Sequence, residues 1–96
     1  MAEVRQTAIF EKWFRSLRDA QAKARVQSRI RKLGLGLVGD AKFFSGIGEL
    51  RIDYGPGYRV YFVKRGEILF ILLCGGDKSS QRKDIERATA MAKEIN

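Results

Sequence analysis

The chain has 96 residues, with 19 Lys and Arg against 11 Asp and Glu, a net charge of +8 and no histidine. That length allows one domain with one core, spanning residues 1–96. The single cysteine excludes an internal disulfide framework, and without histidine no zinc ligand set exists, so neither metal nor cofactor is expected. The longest apolar run is the seven residues Ile68–Cys74, too short for a membrane span. Met1–Gln6 has no signal-peptide core, so a cytoplasmic protein is expected. Residues 1–36 carry nine basic residues against three acids. So basic a half suits a polyanion or an acidic protein, and charge by itself does not choose between them.

Val4–Thr7 reads as a short first strand, and Thr7 can cap the helix that follows. Phe10, Trp13, Phe14 and Leu17 recur at i, i+3, i+4 and i+7, one apolar helical face suited to core packing rather than base stacking. Arg18-Asp19 interrupts that helix, and Asp19 can cap a second running from Ala20 to Leu33. Its inward line is Ala22, Val26, Ile30 and Leu33, with Lys23, Arg25, Arg29, Arg31 and Lys32 on the other faces. Gly34 and Gly36 stop it. The short link makes the pair a helical hairpin.

The glycine-rich segment Leu35–Ile47 is expected as a loop, with Phe43 and Phe44 tucked against the core. Three strands follow. Glu49–Tyr54 and Tyr58–Val63 alternate polar and apolar residues, and Gly55-Pro56-Gly57 turns one into the other. Lys64–Glu67 turns into Ile68–Cys74, whose unbroken apolar run predicts a central strand covered on both faces. Cys74 is then a buried structural thiol. Gly75-Gly76-Asp77-Lys78 leaves the sheet. Ser79 or Ser80 caps a last helix whose inward line is Ile85, Ala88, Ala92 and Ile95. The order β-α-α-β-β-β-α predicts an α+β domain, its helical hairpin and C-terminal helix packed on a mostly antiparallel four-stranded sheet.

Alternation sets Glu49, Arg51 and Asp53 on one face of their strand and Arg59 and Tyr61 on one face of the next. Two arginines on one face repel unless carboxylates intervene or an anion is bound. Glu49 and Asp53 could supply a solvated salt-bridge ladder. With RNA as the anion, the guanidinium forks of Arg51 and Arg59 would hold phosphate oxygens and stabilise a pentavalent transition state. Without histidine, proton transfer would fall to Lys78 or Tyr61 with a lowered pKa, or to Asp77 or Glu49 with a raised one. Arg25 and Arg29 on the basic hairpin would contact RNA phosphates, and Gln81 could face the same cleft. Gly75–Ser79 lacks Walker A spacing and reads as a strand-to-helix turn.

Four stretches carry a resemblance. They are Thr7-x-x-Phe10-x-x-Trp13-x-x-x-Leu17, Gly48–Ile52, Gly55–Phe62 and Gly75-Gly76-Asp77-Lys78-Ser79-x-Gln81-x-x-Asp84-Ile85. Through them the chain resembles the RelE/ParE toxin superfamily, and within it the HigB-like addiction module killer toxins of type II toxin–antitoxin systems. The resemblance implies a RelE-like fold and a ribosome-dependent mRNA endonuclease that inhibits translation. It also implies a helix-turn-helix, HigA-like antitoxin, and contact with operator DNA only through that antitoxin. Its basic strand residue falls on Arg59 and its basic residue after the last strand on Lys78, with Tyr61 in the same motif. Lys42 is the counterpart here of the loop lysines that reach RNA in some members. A gyrase-poisoning ParE-type toxin, or a non-catalytic nucleic-acid-binding adaptor, would use the same fold.

Overall fold

The computed structural model describes residues 2–95. Five strands form one mixed sheet: β1 (Glu3–Gln6), β2 (Ala41–Phe44), β3 (Ile47–Ile52), β4 (Tyr58–Arg65) and β5 (Leu69–Asp77), in the spatial order β1-β5-β4-β3-β2. Only β1 and β5 run parallel. Three helices, α1 (Ala8–Ser16), α2 (Ala20–Gly34) and α3 (Gln81–Glu94), complete an α+β fold. No helix among the described residues is long and apolar enough to cross a membrane.

Each face of the sheet has its own core. On one, Phe10 of α1 and Val26 and Leu33 of α2 meet Leu50, Ile52, Val60, Phe62, Phe70 and Leu72. On the other, Ala88 and Ala92 of α3 meet Ile47, Tyr61, Val63, Leu73 and Cys74. The expected inward lines of all three helices therefore lie inside, and β5 is covered on both sides. Alanine on α3 allows the helix close approach to the sheet.

Local capping follows the sequence at two helix starts. Thr7 Oγ1 accepts the Phe10 amide and also donates to the Leu73 carbonyl at 2.6 Å. That second bond satisfies a backbone group where β5 carries an extra residue, because Tyr61 pairs with Cys74 but Phe62 with Leu72. The bulge turns both Leu73 and Cys74 toward α3. Asp19 caps α2 through the amides of Gln21 and Ala22. At α3 the expectation needs correction. Ser80 is the N-cap residue but makes no capping bond; Asp77 instead caps the 3₁₀ turn Lys78–Ser80 ahead of the helix.

The sheet has five strands, not four. The extra one is β2, in the segment expected to be a loop, and it pairs antiparallel with β3. Phe44 packs against the α3-side core, but Phe43 does not tuck inward: its ring meets Phe62 edge-on while 61% of the residue stays exposed. Glycine is required where helices press on β5 and where β4 packs on β3: a Cβ on Gly76 would overlap the Asp84 carboxylate of α3, one on Gly75 the Trp13 indole of α1, and one on Gly48 the Phe62 ring.

Candidate functional site

At the end of the sheet where β3 and β5 finish and β4 begins, Arg51, Arg59 and Lys78 line one open hollow of about 270 Å³ with Asp40, Asp53 and Gly55-Pro56-Gly57. The strand pairing makes this convergence. Arg51 stands directly opposite Arg59, and Arg59 opposite Gly76, two residues before Lys78. Gly55 and Gly57 both take positive φ in the β3–β4 turn. A Cβ on Gly57 would lie 3.5 Å from Arg59 Nη1 and 3.4 Å from Lys78 Cδ, so both side chains run beside this turn.

The arginines differ in environment. Arg51 is exposed and ion-paired with Asp40 at 2.9 Å. Arg59 is only 8% exposed, donates from Nη1 to its neighbour's carbonyl, Tyr58 O, and leaves Nε with no partner. Among the described residues no carboxylate pairs with it. Among the described residues Glu49 and Asp53 form no salt-bridge ladder with the two arginines. A buried guanidinium without a counter-charge is costly in an isolated protein, and an anion entering the hollow would relieve it.

No family model matches this sequence. A protein of Haemophilus influenzae (strain ATCC 51907 / DSM 11121 / KW20 / Rd), described as "Uncharacterized protein", is 47% identical over 94 residues, covering 97% of this chain and 95% of the relative. This chain belongs to the same family. The shared span includes every element that builds the hollow.

Tyr61 does not join the site. It faces the same way as Arg59 but is fully buried beneath α3, with its hydroxyl unpartnered. Burial, and then the neighbouring Glu49 carboxylate, push its pKa far above the ordinary tyrosine value, the reverse of the lowering a base would need. Glu49 is also buried and accepts a hydrogen bond from Gln81 Nε2 at 2.8 Å. Gln81, the half-buried first residue of α3, thus spends its amide on Glu49 rather than on the hollow. Asp77 accepts from the amide and hydroxyl of Ser79, which hold its carboxyl below its ordinary value, so it stays ionised as a cap.

The helical arginines divide. Arg29 donates to the carbonyls of Arg51 (2.6 Å), Asp40 (2.8 Å) and Val38 (3.0 Å), clamping the α2–β2 loop to β3. Its job is structural, and partial burial lowers its pKa from the usual arginine value. Arg25 is exposed and lies over the Tyr54 ring at 4.6 Å. The Tyr54 hydroxyl in turn donates to Asp19, lowering that carboxyl's pKa. Lys42 is exposed on β2, over Phe44, and does not line the hollow.

Two acids that sequence reasoning left outside the site, Asp40 and Asp53, line it. Asp53 was visible as a same-face neighbour of Arg51. Asp40 carried no such signal, because it arrives from the loop that Arg29 holds. The described residues contain no cluster of potential metal ligands.

Proposed function

We propose that this protein is the toxin of a type II toxin–antitoxin module, a RelE-like, HigB-like endoribonuclease that cuts mRNA on the ribosome. The observation that carries this reading is Arg59: a nearly buried guanidinium without a carboxylate, facing an open hollow that also presents Arg51 and Lys78. Such a site suits a phosphodiester, whose non-bridging oxygens take the guanidinium forks.

In the proposed reaction the 2′-oxygen attacks the adjacent phosphorus and the bond to the 5′-oxygen breaks. A 2′,3′-cyclic phosphate and a 5′-hydroxyl result. Arg59 and Arg51 stabilise the charge that builds on phosphorus oxygens in the transition state. The Lys78 ammonium donates a proton to the departing 5′-oxygen. Asp53 lines the hollow without an ion pair and is the protein's acceptor for the 2′-hydroxyl proton. The ribosome supplies the orientation of the strand. A helix-turn-helix, HigA-like antitoxin restrains the toxin in this reading and brings it to operator DNA.

Induced expression, with mapping of mRNA 5′ ends in the presence and absence of translation, tests the proposal. New ends should appear only during translation, and Arg59→Ala with Lys78→Ala should abolish both cleavage and growth arrest. A folded double variant that still cuts would refute the site assignment.

A gyrase-poisoning toxin is the second reading, and the burial of Tyr61 favours it. With that hydroxyl removed from the hollow and no histidine in the chain, few proton-transfer groups remain, and a poison that binds without cutting needs none. A DNA-damage response with intact mRNA would select it. Expression without any growth inhibition would instead favour a non-catalytic nucleic-acid-binding adaptor.

A further inference from the structure

The hollow shares a wall with a second groove, of about 300 Å³, between α2 and the end of β3. Asp40, Arg51 and Asp53 line both. Apart from Ile52, the rest of the second lining is one face of α2: Arg25, Arg29 and Lys32 stand at i, i+4 and i+7, with small Ser28 between them. Like charges at such spacings repel, and α2 contains no acid to offset them. Four cations against two carboxylates leave the groove positive.

The three helical cations are not equally committed. Arg29 is held by backbone carbonyls. Arg25 lies over the Tyr54 ring, which is itself fixed by its bond to Asp19. A guanidinium stacked in that way keeps its N–H edge for an anion. Lys32 is exposed, and among the described residues neither it nor Arg25 makes an ion pair.

We propose that this groove takes the next phosphate of the single strand whose phosphodiester occupies the hollow, held by Arg25 and Lys32. The inference rests on the hollow being a phosphodiester site. It deepens that reading by giving the strand a path, across Arg51 and onto α2. Arg51 joins the two sites because it lines both. A polyanion with regularly spaced charges bridges two such sites, whereas an isolated anion fills one. None of the lining residues is aromatic, so the groove holds backbone and not a base. Contacts of that kind position a strand and carry no sequence information. Lys32 thereby takes the phosphate-binding role that the sequence suggested for Arg29.

Two probes separate the sites: a 2′-O-methyl dinucleoside monophosphate, with one phosphodiester, and a 2′-O-methyl hexanucleotide. Neither can be cleaved by 2′-oxygen attack. Calorimetric titration of the whole protein at low salt should show the hexanucleotide binding more tightly. Arg25→Ala with Lys32→Ala should weaken the hexanucleotide about tenfold and reduce its slope of log affinity on log salt by roughly 1, with the dinucleotide changed less than about twofold. Lys32→Ala alone, an exposed change that the fold tolerates, should give a smaller loss of the same kind. Thermal unfolding checks that each variant is folded. Unchanged hexanucleotide affinity in the folded variants overturns the groove and leaves the cleavage test of the hollow intact. Equal weakening of both probes overturns it too, because α2 would then act only through its long-range field. If Arg59→Ala leaves both probes bound as in the wild type, the hollow fails and the shared path fails with it. Hexaglutamate that binds as tightly as the hexanucleotide, with the same losses in the variants, would assign the groove to an acidic protein instead.

Discussion

Arg51 and Arg59 face each other directly across β3 and β4, yet only Arg51 has a carboxylate, Asp40, at 2.9 Å. Like charges directly opposite on a sheet destabilise it. Burial of Arg59 without a counter-ion adds a desolvation penalty that Arg51, half-exposed and paired, escapes. The fold thus carries a strained charge at the place where the proposed substrate would neutralise it.

Replacing Arg59 should therefore stabilise the isolated protein. For Arg59→Met, which keeps the length of the side chain, we expect a gain of about 1–2 kcal/mol in phosphate-free buffer. For a domain of this size that is a rise of roughly 4–8 °C in Tm per kcal/mol. Inorganic phosphate should raise the Tm of the wild type and leave Arg59→Met unmoved. A lower Tm for the variant would mean that the guanidinium is well compensated and that the anion argument fails.

Arg29 and Arg25 lie one helical turn apart on α2, and their substitutions should part company. Arg29→Ala removes three bonds to backbone carbonyls and frees the loop that brings Asp40 to the hollow. A loss of about 2–3 kcal/mol is expected, since hydrogen bonds from charged donors are the stronger kind. Arg25→Ala gives up an exposed cation–π contact and should cost about 0.5–1 kcal/mol. Urea unfolding of the two variants decides it; equal losses would contradict the clamp.

Much of this arrangement was legible before any coordinates. Side-chain alternation put Glu49, Arg51, Arg59 and Tyr61 on one face, and they share it, because the period of a strand is fixed by its pleat. Alternation does not say how far a covering helix reaches. α3 lies over Tyr61 and Glu49 and leaves Arg51 exposed, which is why Tyr61 is sealed while Arg51 is open and Arg59, although nearly buried, still lines the hollow. β2 was missed for a different reason. Its four residues between glycine-containing turns have no pattern of their own and become a strand by pairing with β3. In the sequence reading Arg29 shares Arg25's expected role of contacting RNA phosphates, because its acceptors are carbonyls, which sequence does not mark.

If the proposed function holds, Tyr61→Phe should leave growth arrest on expression intact. The hydroxyl is buried without a hydrogen-bond partner and does not line the hollow, so removing it discards an unsatisfied buried donor. The variant should be as stable as the wild type or more so, by up to about 1 kcal/mol in urea unfolding. Loss of activity with an unchanged fold would return the phenol to the mechanism.

Above pH 9 the stability of the protein should fall, and Cys74 supplies one traceable part of that slope. The thiol is 1% exposed; burial first, and the Asp84 carboxylate second, push its pKa from 9.0 to about 11. A raised folded-state pKa means that the buried neutral form is favoured. Its contribution is complete below the unfolded value and disappears as pH rises from about 9 through about 11. The amount at stake is on the order of 2 kcal/mol. Cys74→Ala should start from a lower stability at pH 7, through the small cavity it leaves, yet lose less between pH 9 and 11. Tyr61 adds a fall of the same sign from about pH 10 upward, but it is present in both proteins and cancels in the comparison, which uses urea midpoints at half-unit steps. Parallel curves for wild type and Cys74→Ala would show that the thiol is not the group responsible.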